Sequence, residues 1–418
     1  MGPGSPSGLR AANRRRVLEA VRSAGAPSQA EIAAVTALAP ATVSNIVRVL
    51  CREGLLEATQ EIRSGRRARA VRLVRGAGLV AGIDFGHRHV RVALADLADP
   101  AGHAAPDPDH DAPPGGPTIL AQARRSLPDG HGATGGLAEA GRLLDALLAR
   151  VGGSRASLRG AVVGLPAPLD QATGAVGASG VLPGWVGVPA ARRVAEHLGV
   201  PSWVDNDATL GTLAELRWGA LRGIDDGIFL KLSEGVGAGL VLGGALYRGP
   251  DGTAGEIGHV SVEPGDRFAA VCRCGQRGCL ETLVSTTTVT AMLEPLLGSP
   301  LTIAEVVARA RDGHAPSRRV LADTGHHVGA VLAPLCTVLT PRRVVVGGEL
   351  AQAGALLLGP VHAALTGAAL PGTSHTPDVT TAALAQHAPV LGALALALDR
   401  AVASAPRRGH DAPVTVEP

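Results

Sequence analysis

The chain has 418 residues, 46% of them hydrophobic and 18% charged, with a formal net charge of +3. That length exceeds one ordinary core and points to two or three folding units, and the hydrophobic share excludes a disordered chain. No apolar run approaches the roughly 20 residues that cross a bilayer, and no charged segment followed by an apolar one opens the chain, so a cytoplasmic protein with no membrane partner is expected.

Charge is unevenly placed. Residues 1–78 carry 13 Arg against 5 Glu, a net of +8, while the remainder carries 26 basic against 31 acidic residues, a net of −5. A basic first part on a mildly acidic body points to a polyanion partner for the first part alone. Lys231 is the only lysine and the other 38 basic residues are arginine, a compositional bias that weakens any argument from arginine counts. Three of five cysteines crowd into eight positions (Cys272, Cys274, Cys279), which in a reducing compartment favours a metal over a disulfide. Cys51 and Cys336 lie in apolar surroundings.

In chain order, residues 1–8 are a Gly/Pro/Ser leader expected to be disordered. The spacing of Leu9, Val17, Leu18 and Val21 predicts a helix to Ala24. Ser28-Gln-Ala-Glu31 matches a capping box that opens a second short helix. Pro40 suits the first position of a third helix, with Val43, Ile46, Val47 and Leu50 as its buried stripe and Ala41, Thr42, Ser44, Asn45 and Arg48 on the opposite face. Leu55 to Leu73 reads as a β-hairpin with a basic tip, Ser64-Gly65-Arg66-Arg67.

Near residue 78 the texture changes. Strands at 79–83 and 90–94 flank Asp84-Phe85-Gly86, and residues 99–117 form a low-complexity, solvated insertion. Helices are expected at 136–151, 189–198 and 208–218, and strands at 160–165, 202–205, 227–232, 239–242 and 343–346, with a loose tail at 404–418. The alternation predicts α/β lobes.

Three short helices and a basic hairpin make a winged helix-turn-helix, which places its third helix in the major groove. Here the chain resembles the N-terminal domain of regulators in the ROK family (repressor, open reading frame, kinase), through Ser28-x-x-Glu31-Ile32-Ala33, Ala41-Thr42-Val43-Ser44 and Gly65-Arg66-Arg67. Operator DNA is the implied partner. Asn45 can contact an adenine edge and Arg48 a guanine edge or a phosphate. Arg66, Arg67 and Arg69 would neutralise phosphates or enter the minor groove. Ala39 departs from the family's usual Ser, which removes an N-cap and leaves the fold. The turn spacing and the wing set aside a helical protein-interaction domain.

His259, Cys272, Cys274 and Cys279 offer one imidazole and three thiolates, the donor set of closed structural zinc sites. Glu-x-Gly-His followed by Cys-x-Cys-Gly-x-x-Gly-Cys-x-Glu resembles the ROK sugar-kinase signature. By that resemblance His259 serves both zinc and a sugar hydroxyl, and Glu256 and Glu281 accept hydrogen bonds from neighbouring hydroxyls. Asn206-Asp207 matches the family's Asn-Asp pair, with Asn206 as a hydroxyl ligand and Asp207 at the position of the general base. An Asp at a strand-to-helix junction also reads as a helix N-cap. Gly164-Leu-Pro-Ala-Pro168 and Ser179 to Trp185 resemble loops that close the sugar pocket.

The phosphate-side motifs depart from the family. Where kinases read Asp-x-Gly-Gly-Thr-Lys, this chain reads Asp84-Phe85-Gly86-His87-Arg88-His89, and the Thr of the Gly-Thr-Gly loop is Glu234. Glu349 replaces a Gly on the adenosine side. A side chain at 87 obstructs close backbone approach to phosphate, and a carboxylate at 234 repels it.

The resemblance spans residues 9 to about 400. It implies an α/β, actin-like two-lobed sugar-kinase (ribonuclease H-like) body over 79–403 behind a winged helix at 9–76. The implied function is a sugar-responsive transcriptional regulator, more repressor than activator, with structural zinc and a sugar or sugar-phosphate effector. It would act as a homodimer or homotetramer without phosphoryl transfer, Asp207 being a vestigial base and no catalytic residue expected. The alternative is an active hexose or amino-sugar kinase carrying a DNA-binding domain, and a third reading leaves the pocket empty of function.

Overall fold

The computed structural model describes residues 6–63, 66–74, 76–97, 119–170, 173–177, 182–262, 266–369 and 376–403. The 99–117 insertion, the 404–418 tail, Ser64 and Gly65 at the wing tip, and Ser179 and Gly180 lie outside the described residues.

The first unit is built from α1 (Pro6–Ala24), α2 (Gln29–Thr36), α3 (Pro40–Arg52) and the antiparallel pair β1 (Leu56–Arg63) and β2 (Arg66–Leu73). The first helix is already present at Pro6, where the described residues begin, so it takes in residues 6–8 of the expected leader. At α2 the capping box forms as expected: Glu31 N–H donates to Ser28 Oγ at 3.2 Å and Ser28 N–H donates to Glu31 Oε2 at 2.7 Å. Ala37 then takes a left-handed conformation, φ 50°, and the chain turns through 117° into α3. Ala39 gives no side-chain cap, and Pro40 opens the helix. Val43, Val47 and Leu50 are buried against Val17, Leu18, Val21 and Ile32, each such burial contributing roughly 1.5–3 kcal/mol. Arg14 ties α1 to Glu53 beyond α3 through bonds of 2.8 and 2.5 Å.

The body contains two mixed sheets. The first holds β3 (Leu79–Phe85), β4 (His89–Asp96), β5 (Ile119–Ser126), β6 (Leu158–Leu165) and β7 (Ser202–Asn206), in the order β5-β4-β3-β6-β7. The second holds β8 (Gly227–Leu232), β9 (Val236–Leu242), β10 (Ala245–Tyr247), β11 (Arg343–Gly347) and β12 (Asp378–Thr381), in the order β10-β9-β8-β11-β12. Each sheet therefore starts in its middle, runs an antiparallel meander to one side and adds two parallel strands on the other.

Between β5 and β7 come α4 (Ala133–Arg150) and α5 (Ala190–Leu198), whose apolar faces complete the first sheet's core. The helices α7 (Glu281–Val284), α8 (Thr286–Leu297), α9 (Ile303–Arg311), α10 (Ala315–Leu339) and α11 (Ala355–Gly367) surround the second sheet. Two further helices join the halves. α6 (Asp207–Trp218) packs on β8 and β9, α12 (Ala388–Ala403) packs on β3 and β6, and the two pack on each other. Their shared core, including Leu210, Leu391 and Leu394, runs on into Val17, Leu18 and Val21 of the winged helix, and α1 touches α12.

Candidate functional site

The residues expected to hold a sugar meet in one place. Asn206, Asp207, Glu256, His259 and Glu281 line a single cavity of about 30 Å³, with Pro166, Ala167 and Pro168 of the expected closing loop. That is room for only about two waters between these side chains. Next to it lies a cleft of about 650 Å³, lined by Asp84, His87, Arg88, Glu234 and Glu349, within the usual range for small-molecule sites.

Two strand ends and a helix start build the polar wall. Asn206, and not Asp207, caps α6: its Oδ1 accepts from Thr209 N–H at 3.0 Å while its Nδ2 donates to Ala167 O at 3.2 Å. Asp207 occupies the first helical position, where Ala208 N–H donates to Oδ1 at 2.7 Å. Glu281 opens α7, accepts from Val236 N–H at 3.0 Å and forms an ion pair with Arg273, Nε to Oε1 2.9 Å. Glu256 sits where burial, reinforced by the Asp207 and Glu281 carboxylates, pushes its pKa up to about 7. Its loop presses against β9, where a Cβ on Gly255 (φ 100°) would stand 2.0 Å from Ala238 O and one on Gly258 2.2 Å from Val236 O.

Lys231, at the end of β8, was not foreseen as a site residue. Its ammonium hydrogen-bonds Asp207 Oδ2. Burial alone would lower the Lys231 pKa, and the Asp207 and Asp84 carboxylates outweigh it and hold it above the ordinary lysine value. Burial raises Asp207 above the usual aspartate range even with the ammonium beside it. One signal was available: a chain that uses arginine everywhere else keeps a lysine here. Arg273, inside the Cys-x-Cys turn, was likewise missed.

His259, Cys272, Cys274 and Cys279 come together with their ligand atoms within 4.8 Å of one another. Cys272 Sγ lies 3.5 Å from His259 Nδ1, and Cys274 Sγ lies 3.7 Å from Cys279 Sγ. A tetrahedron with metal–sulfur bonds of about 2.3 Å and a metal–nitrogen bond of about 2.0 Å has edges of about 3.8 and 3.5 Å, so the donor set fits zinc. His259 turns Nδ1 to the thiols and Nε2 to Glu256, 3.9 Å away, so a metal and a pocket can use opposite edges of one ring.

On the phosphate side the replaced residues face each other. His87 Nδ1 and Arg88 Nη2 each lie 3.6 Å from Glu234 Oε1, and Arg88 also reaches Asp129 at 3.3 Å. Burial, with Arg273 and Lys231 adding to it, lowers the His87 pKa to about 3. Glu349 holds its backbone N–H on Ser233 Oγ at 3.3 Å.

On α3, Ala41, Asn45 and Arg48 are exposed and Thr42 and Ser44 half-buried, all on the face away from the core. Arg69 is exposed on β2. For Arg66 and Arg67 the backbone alone is described.

Comparison with known proteins bears on both units. The ROK family model matches residues 141–400, and a winged helix-turn-helix DNA-binding model matches residues 10–57. A glucokinase of Halalkalibacterium halodurans is 33% identical over 267 residues, 60% of this chain and 80% of that protein. The N-acetylglucosamine repressor of Escherichia coli O157:H7 is 28% identical over 401 residues, 92% of this chain and 91% of that one. The solved structure of a ROK family transcriptional regulator, a homolog of the E. coli Mlc protein, superposes with a TM-score of 0.75 at 21% identity, covering 95% of this chain and 97% of that one.

Proposed function

Because the chain belongs to the ROK family, we propose that it is a sugar-responsive DNA-binding transcriptional repressor whose kinase-like body binds a sugar without phosphorylating it. One observation carries this reading. The five sugar residues converge on one cavity, while the phosphate side of the adjoining cleft carries His87 and Arg88, each 3.6 Å from Glu234. His87 and Glu234 put an imidazole and a carboxylate where kinases carry a Gly and a Thr hydroxyl, and the carboxylate repels a γ-phosphate. Asp207 then serves as a hydrogen-bond acceptor, and no catalytic residue is assigned.

Residues 9–76 form the DNA-binding unit and 79–403 the sugar-binding body in this proposal. Asn45 and Arg48 read bases in the major groove of an inverted-repeat operator. Thr42, Ser44, Arg66, Arg67 and Arg69 bind phosphates or the minor groove, with Ala41 at the helix start allowing close approach. Two heads on a homodimer or homotetramer would span the half-sites. Zinc on His259, Cys272, Cys274 and Cys279 holds the loop that presents Glu256, His259 and Glu281, and it takes no chemical part.

A path for coupling supports the reading. α6 starts in the sugar wall at Asp207 and packs on α12, which touches α1 of the winged helix. Glu215, buried on α6, accepts backbone N–H groups of Ala220, Ala383 and Leu384 at 2.6, 3.3 and 2.8 Å and so ties α6 to the approach to α12. A sugar that favours one lobe closure shifts operator affinity, and operator shifts sugar affinity by the same factor.

The glucokinase relative favours the second reading, an active kinase with a DNA-binding domain. A thermal-shift screen over hexoses, N-acetylglucosamine and their phosphates, followed by operator titration with each hit, tests the first. A hit that changes operator affinity supports it. A panel without hits, or hits that leave operator affinity unchanged, contradicts it.

A further inference from the structure

We propose that Lys231 replaces a divalent cation between Asp84 and Asp207, so that the cleft takes a sugar and refuses a metal-bound nucleotide. The proposal rests on the sugar-sensor reading and assigns its selectivity to one residue.

The geometry comes from the repeated topology. Both sheets share the order third, second, first, fourth, fifth strand. Asp84 is the penultimate residue of β3 and Lys231 the penultimate residue of β8, the corresponding places in the two halves. In each sheet the parallel neighbour opposite that residue is a glycine, Gly164 beside Asp84 and Gly347 beside Lys231. The two halves thus present a carboxylate and an ammonium from equivalent positions toward one cleft, and Lys231 lines both the small cavity and the large one.

Charge decides what this arrangement accepts. Asp207 needs a cation of its own, because Asp84, from the other segment, acts on it as a like charge and already has His89 Nε2 at 3.8 Å and the Arg91 charge for itself. Lys231 supplies it: it bonds Asp207 Oδ2 and acts electrostatically on Asp84. Magnesium does not fit there, because it would need the same oxygens and would stand against a buried ammonium. An ammonium adds one charge where the metal adds two, leaves Asp207 Oδ1 facing Ala208 N–H, and carries two more N–H donors for sugar oxygens.

The test uses the full-length protein with its Cys/His site loaded with zinc and Mn²⁺ as the probe, read by its paramagnetic resonance. Lys231→Met, of similar length without the charge, is expected to gain about tenfold or more in Mn²⁺ affinity over wild type. Adding Asp207→Asn should remove that gain, and Lys231→Arg should behave as wild type. Equal Mn²⁺ affinity in wild type and Lys231→Met overturns the proposal. So does a wild-type Mn²⁺ site lost in Asp207→Asn, which settles the matter even if Lys231→Met fails to fold. Either result leaves the regulator reading in place, because that reading fails only on sugar and operator titration.

Discussion

Arg88 Nη2 lies 3.6 Å from Glu234 Oε1, joining the turn after β3 in one sheet to the turn after β8 in the other. Taken one at a time these residues are departures from a phosphate-binding pattern; together they neutralise each other in the cleft. With side chains 61% and 23% exposed, the pair is worth little to stability. A double-mutant cycle on Arg88→Ala and Glu234→Ala, followed by urea unfolding, should give a coupling below about 1 kcal/mol that shrinks with salt. A coupling of several kcal/mol would show that the contact holds the halves together.

His87 is buried beside this pair with its pKa lowered to about 3, burial being the main cause. The unfolded chain binds its proton near pH 6.5, so the neutral ring's contribution is complete above about that pH and is lost as pH falls toward 3. Between pH 7 and 5 the wild type should lose about 2 kcal/mol that His87→Asn does not lose. Parallel stability curves for the two proteins over that window would refute the assignment.

Metal content is expected at one zinc per chain, carried by His259, Cys272, Cys274 and Cys279. Chelation, or Cys279→Ser, should abolish the sugar response while operator binding persists, because the ligand loop carries Glu256 and Glu281 and lies in the body. Operator binding lost at the same chelator concentration as sugar response would place the metal's role elsewhere.

On the DNA face, Asn45→Ala should cost about 1–3 kcal/mol in operator binding and relax the base preference at one position of each half-site. Arg69→Ala should instead weaken all sequences alike and reduce the salt slope by about one. Binding isotherms on operator and scrambled duplexes at several salt concentrations distinguish the two, and an Asn45→Ala protein with unchanged sequence preference would remove α3 from the groove.

Much of this was legible because the signals are local. The Ser28 capping box, Pro40 at a helix start and the cysteine spacing each act within a few residues, and each forms as expected. Edge strands were harder to read. β5 (Ile119–Ser126) follows the low-complexity stretch and alternates only weakly, and it is a strand because β4 offers it an edge. At the α6 start, sequence left Asp207 as base or cap, and the cap proved to be Asn206, since only its side chain reaches the Thr209 N–H. The Lys231–Asp207 contact joins residues 24 apart on a strand and a helix of different layers, which no periodicity reports.

A coupled assay for ADP release, run with ATP, magnesium and every sugar that shifts operator affinity, bears most directly on the account. A ligand at about 100 times its Kd should stabilise the protein by about 2.7 kcal/mol and change operator binding. The predicted result is that response with no sugar-dependent ADP. Sugar-dependent ADP release that disappears in Asp207→Asn would contradict it and identify the protein as a kinase that also binds DNA.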